Sequence, residues 1–184
     1  MSAYHDGRNT FYIGEFDEEM EQNIIIPLTH CVKQQAEIRD GRIDMYVNSY
    51  GGNANLLMHV IELMELAKRH DVVVRTIVTS AAYSAGSMVA VAGTPGERYI
   101  AKNAMHLVHY GATGASNEST PTQASRKHNA DQIMFNMVLN HYRKYCDIPN
   151  LEDNIQDDNW YIKATEAKRW NMADQYLDKM DLLW

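Results

Sequence analysis

The most constraining stretch of this chain is a β-branched run that passes, with no turn signal between, into a series of small residues. Val72 to Val78 reads as a buried strand. It continues directly into Thr79-Ser80-Ala81-Ala82-Tyr83-Ser84-Ala85-Gly86-Ser87. A helix over Gly86 to Ala92 then begins on top of a strand end, aiming free amides and the positive end of the helix dipole at the Ser84 oxygen. Around this junction the chain alternates. Phe11 to Gly14 is a short strand, and Asp17 to Ile38 has helical spacing despite Pro27. Ile43 to Val47 is a strand between Gly41 and Gly51-Gly52. The helix after it can be capped by Asn53 or Asn55, with an apolar stripe from Leu56 to Ala67. Met105 to Tyr110 is a further strand, Gly111 to Thr120 a polar loop, and Thr120-Pro121 opens a long helix to about Tyr145. Strands alternating with helices predict a βαβ architecture with a mostly parallel sheet, in one domain of 184 residues.

Charge and composition narrow the function. A formal charge of −7 provides no concentrated basic field for nucleic-acid phosphates. Cys31 and Cys146 are far apart and outside any metal-ligand spacing, which predicts free thiols in a reducing, cytoplasmic compartment. The first residues contain no signal-peptide core, and the longest apolar stretch, Met88 to Gly93, falls far below the roughly 18 to 20 residues of a membrane span. No membrane attachment is expected. Of eight histidines only His106 and His109 are close, and an offset of three on a strand sends their rings to opposite faces, so neither a metal site nor a cofactor is expected.

Serine becomes a nucleophile when a base takes its proton and amide donors meet the oxyanion. Three segments could supply these parts: Asn48 to Gly52, whose paired glycines let a backbone N–H point into a cleft; Ser84 at the strand–helix junction; and His109, 25 positions later near a strand end. Singly, each has a plain structural reading as a turn, a close-packed helix start, or a strand histidine.

Together they carry a resemblance. Tyr46-Val47-Asn48-Ser49-Tyr50-Gly51-Gly52 resembles the Tyr-Ile-Asn-Ser-Pro-Gly-Gly turn of the Clp peptidase family. Ser80 to Gly86 resembles its nucleophile segment Gly-Gln-Ala-Ala-Ser-Met-Gly, and Arg98 to His109 its Arg-Phe-x-x-Pro-Asn-Ala-x-x-Met-Ile-His. The resemblance runs from about Phe11 to Leu177. It implies a single-domain α/β fold, the ClpP/crotonase-like ββα spiral with a long protruding helix. It also implies a serine endopeptidase acting on polypeptides, with Ser84 as nucleophile, His109 as general base, and the N–H groups of Gly52 and Ala85 as oxyanion hole. The assembly implied is a ring, two stacked heptamers, with an ATP-driven unfoldase as partner.

Two departures qualify this. Trp160 to Ala167 resembles the family's Arg-Phe-Met-Ser-Ala-x-Glu-Ala, and an ungapped match puts Asn159 where the triad aspartate belongs; Asp158 takes that place if one residue is inserted before Lys163. Only ten residues precede Phe11, a short extension where the family has an axial loop and first helix, and Asp44 stands at an aromatic position of the docking groove while Tyr46 is kept. The rival readings are a weakly active or non-catalytic ring subunit, which the asparagine favours, and a crotonase-type acyl-CoA enzyme, which the Ser/His pair opposes. The apolar arc of the long helix, Ile133 to Tyr142, is broad enough to predict contacts between subunits.

Overall fold

The computed structural model describes residues 2–111, 120–156 and 159–178. Strand β1 (Tyr4–His5) pairs antiparallel with β2 (Thr10–Ile13). The first residues, expected as an extension ahead of the sheet, are thus part of it. Tyr4 stacks on Tyr12 and His5 on Phe11 at ring separations of 4.2 and 4.5 Å, the kind of cross-strand aromatic contact that holds so short a strand. The helix expected over Asp17 to Ile38 is broken in register: a wide π-turn over Glu21–Ile25 precedes α1 (Ile26–Ala36). Pro27, in the first turn of α1, has no N–H for the carbonyl four residues back, and the hydrogen-bond register changes there.

After β3 (Arg42–Ser49), Asn53 caps α2 (Ala54–Arg69), its side chain accepting from the N–H groups of Asn55 and Leu56 at 2.8 and 3.4 Å. Strand β4 (Val73–Tyr83) runs five residues past Val78, through the small-residue segment itself, and α3 (Ala85–Val91) follows. Next come β5 (Arg98–Ile100) and β6 (Met105–Val108), then α4 (Pro121–Tyr145), begun by a Thr120/Gln123 capping box. Helix α5 (Leu151–Gln156), β7 (Trp160–Lys163), α6 (Ala164–Arg169) and β8 (Gln175–Tyr176) complete the described chain.

The length of β4 organises the sheet. One edge pairs with β3 from Val73 to Ala82; the other takes β5 at Thr76 to Val78 and β6 at Ala81 to Tyr83 in succession. All these pairings are parallel, as are β2 with β3 and β5 with β8; β1 with β2 and β6 with β7 are antiparallel. The fold is α/β. Small side chains let β4 carry three neighbours while α3 packs on its end: a Cβ on Gly86 would come within 2.8 Å of the Ser49 Cβ.

The core lies between the sheet and helices α1 to α3, with Phe11, Met45, Val60, Ile77 and Val89 fully buried. Helix α4 docks only by its later turns. Val138, Leu139 and Tyr142 are buried, His141 Nε2 donates to the Met88 carbonyl at 2.8 Å, and Lys144 and Tyr145 bond to Glu65 of α2. Its early turns are exposed, Ile133 being 70% accessible. Among the described residues no helix is long and apolar enough to cross a membrane.

Candidate active site

Three parallel strands, β3, β4 and β6, end side by side, and each hands the chain to a group of the site. Ligand sites of open α/β sheets lie at such carboxyl ends. From β4 the chain enters α3 through Ser84 at φ 53° and ψ −117°, a left-handed turn costing a non-glycine residue about 1 to 3 kcal/mol. It is held there from both sides, the Ser84 N–H donating to the Leu107 carbonyl at 2.9 Å and its carbonyl accepting from the Met88 N–H at 3.2 Å. From β3 the chain turns through Gly51 and Gly52, both at positive φ. Here glycine is required: a Cβ on Gly51 would stand 2.7 Å from that of Ser84. Ser49 Oγ accepts from the Gly51 N–H, the Phe16 N–H donates to the Gly51 carbonyl, and the Asn53 N–H to the Phe16 carbonyl, so the turn is tied down on both flanks.

From β6 the chain leads to His109, whose Nε2 accepts from the Ser84 hydroxyl at 2.7 Å. The imidazole is half-buried, and burial pulls its pKa below the ordinary histidine value; a hydrogen bond with the Asn159 side chain pushes the other way. A bond that favours the protonated ring is one in which the amide oxygen accepts the ring N–H. With Nε2 on Ser84, the remaining ring nitrogen is Nδ1. The register explains why Asn159 is there: β7 runs antiparallel to β6 with Trp160 opposite Val108, so the residues just beyond, Asn159 and His109, adjoin. Asp158, the other candidate, lies outside the described residues.

Ser84, His109, Gly52 and Ala85 border one cavity of about 200 Å³ whose remaining walls include Leu57, Met88, Met134 and Met137. The structure therefore gathers Ser84, His109, Asn159, Gly52 and Ala85 of the sequence-predicted set. Ala85 opens α3, and a first-turn N–H has no acceptor within its own helix.

The Clp protease family model matches residues 1–180. The chain belongs to the Clp protease family. Among curated relatives it is 31% identical over 142 residues to the ATP-dependent Clp protease proteolytic subunit 2 of Corynebacterium jeikeium, a match covering 76% of this chain and 65% of that one. It is 29% identical to the corresponding subunit of Ligilactobacillus salivarius (88% and 78% covered) and 26% identical to that of Streptococcus thermophilus (92% and 84%). At the level of the Clp family, its class is that of a serine peptidase subunit.

One buried polar group near the site carried little sequence signal. His106 faces the core, fully buried, its Nδ1 2.9 Å from the Ser87 hydroxyl, which in turn hydrogen-bonds the Tyr142 side chain. Its Nε2 has no hydrogen-bond partner among the described residues, and burial lowers its pKa to about 4. The chain of contacts ties β6 and α3 to the docked end of α4. Only the alternation of Met105 to Val108 hinted that His106 points inward; its partner Ser87 lies 19 positions away, and the Tyr142 that Ser87 bonds lies 36 away.

Proposed function

We propose that the chain hydrolyses peptide bonds of unfolded polypeptides through an acyl-enzyme on Ser84, with His109 as general base and Asn159 orienting it. The observation that carries this reading is the 2.7 Å contact between His109 Nε2 and Ser84 Oγ at the mouth of an apolar cavity. As Oγ attacks the carbonyl carbon, its proton passes to Nε2 and the carbonyl electron pair moves onto oxygen, where the N–H groups of Gly52 and Ala85 receive it. The tetrahedral species collapses, the C–N bond breaks, and the departing amine takes the proton from His109. Water then attacks the ester, giving its proton to the same nitrogen, and the Ser84 hydroxyl is restored with release of the acid. The depressed pKa of His109 serves this role because the ring must be neutral to accept the first proton. Leu57, Met88, Met134 and Met137 suit an apolar side chain on the acyl side of the cleaved bond.

The whole chain works as one peptidase domain in this reading. Family membership implies assembly into a ring and partnership with a Clp ATPase; two stacked heptamers, in the cytoplasm, are the form proposed. The asparagine at 159 favours a second reading, a weakly active or non-catalytic ring subunit, since an uncharged partner stabilises the imidazolium less than a carboxylate does. Labelling by a serine-directed β-lactone or fluorophosphonate separates the two: modification at Ser84, absent in Ser84→Ala, together with cleavage of fluorogenic peptides, is expected. A wild-type ring that neither labels nor cleaves would establish the scaffold reading.

A further inference from the structure

Beside the reacting groups lies a cluster of three tyrosines that none of the steps above uses. The rings of Tyr50 and Tyr161 meet that of Tyr83 edge-on, at 5.4 and 5.7 Å between centroids. Tyr50 is 69% and Tyr161 53% exposed, and Tyr83 is half-buried. Leu107 lies between them in the sheet, opposite Tyr83 on one side and Tyr161 on the other, so these three belong to one face of the β4–β6–β7 layer. Three large rings gathered at the surface beside a nucleophile form an apolar ledge.

Along β3, β4 and β6 the residues of this face come before the reacting groups in the chain, and cavity-lining residues follow. None of the three tyrosines lines the cavity. Three chain segments run from ledge to cavity in the same sense, each passing through a reacting group. Tyr50 leads through Gly51 to Gly52, Tyr83 leads to Ser84 and Ala85, and Leu107 leads through Val108 to His109. A peptide with its acyl-side residue in the cavity and its carbonyl carbon at Ser84 Oγ must continue across that row. Its next side chains, at about 3.3 Å of rise per residue, come over the tyrosines. We propose that Tyr50, Tyr83 and Tyr161 form the subsite for an apolar or aromatic side chain on the amine side of the cleaved bond. Rigid aromatic faces suit such a side chain because little rotamer freedom is lost on binding. The family motifs quoted above carry proline at the position of Tyr50, alanine at that of Tyr83 and phenylalanine at that of Tyr161, so two of the three rings distinguish this chain. The inference rests on the peptidase reading.

The test uses the full chain in its assembled state and two internally quenched peptides, identical except for phenylalanine or glycine immediately after the cleaved bond. The phenylalanine peptide is expected to have the higher kcat/KM by roughly tenfold. The ratio should fall to about twofold or less in Tyr50→Ala/Tyr161→Ala, at two exposed positions, and persist in Tyr161→Phe, which keeps the ring. Equal rates for the two peptides in the wild type, or an unchanged ratio in the double variant, would overturn the subsite. Dissociation of the assembly in the double variant with the ratio intact would instead make the ledge a contact between copies. Fluorophosphonate labelling of wild-type Ser84 separates the two levels: labelling without preference sinks the ledge alone, whereas neither labelling nor cleavage sinks the peptidase reading and the ledge with it.

Discussion

Asn159→Asp places a formal charge beside the ring that must carry a proton in the transition state. Unit charges about 4 Å apart attract by about 1 kcal/mol in water and about 4 kcal/mol in a medium of effective dielectric about 20. Residue 159 is exposed and His109 half-buried, so an intermediate gain of about 2 kcal/mol applies, or roughly thirtyfold in turnover. The pH profile must move with it. In the wild type, burial holds the His109 pKa below its ordinary value, so the neutral base, and activity with it, persists to lower pH than an ordinary histidine would allow. A carboxylate favours the protonated ring, raises that pKa, and shifts the acid limb to higher pH. The assay is kcat/KM on a quenched peptide across the acid limb, on confirmed assemblies, with Asp158→Ala as the comparison. Faster turnover with a raised acid limb is expected for Asn159→Asp, and little change for Asp158→Ala. If Asp158→Ala instead costs orders of magnitude, or Asn159→Asp leaves both rate and limb unmoved, residue 159 does not orient His109.

Gly51→Ala should reduce peptide hydrolysis by more than about a hundredfold, because the new Cβ would stand 2.7 Å from that of Ser84 at a φ of 106° that only glycine adopts freely; retained activity would refute the close packing. His106 is held neutral by burial with its pKa lowered to about 4, so the unfolded chain binds a proton first. Stability is therefore full above about pH 6.5 and falls by about 3 kcal/mol as pH drops through the folded value. His106→Val should flatten that part of the profile in denaturant titrations at several pH values, and an unchanged slope would count against the assignment.

The sequence was legible where a local rule carried the information. The strand–junction–helix at Ser84, the α2 cap at Asn53, one of the two asparagines offered, and the Thr120 N-cap each depend on neighbouring residues, and each forms. Apart from the register break before Pro27, which is local, the misses share one physical cause, long-range pairing. Strand β5 has only three residues, and one of them is an arginine. Arg98 is buried with its charge met by Asp174, 76 positions on, which accepts from its guanidinium at 2.6 and 2.9 Å, while the Tyr145 carbonyl accepts at 3.0 Å. The sequence pattern ends strand β4 at Val78 because Ala81 and Ala82 have little strand propensity alone; pairing with β3 and β6 extends it to Tyr83. The choice between Asn159 and Asp158 hung on an insertion in a motif. The antiparallel register of β6 and β7, invisible in either segment alone, brings Asn159 to His109.

That division bears on how an asparagine can stand beside the base in an otherwise complete site. The alignment of Ser84 with His109 comes from the backbone. The left-handed turn at Ser84 is held by bonds to Leu107 and Met88 and by contact with Gly51, while β6, hydrogen-bonded to β4, delivers His109 one residue past its end. None of these contacts involves residue 159. The proposed oxyanion donors belong to the same backbone, Gly52 in the tied-down glycine turn and Ala85 at the start of α3. The side chain at 159 acts on the ring through a hydrogen bond and whatever charge it bears. Replacing a carboxylate there with an amide removes charge stabilisation from the imidazolium and leaves the nucleophile, its contact with the base and the oxyanion donors in place. In the proposed mechanism, residue 159 is therefore a position at which the rate can be set without disturbing the packing of the strand ends.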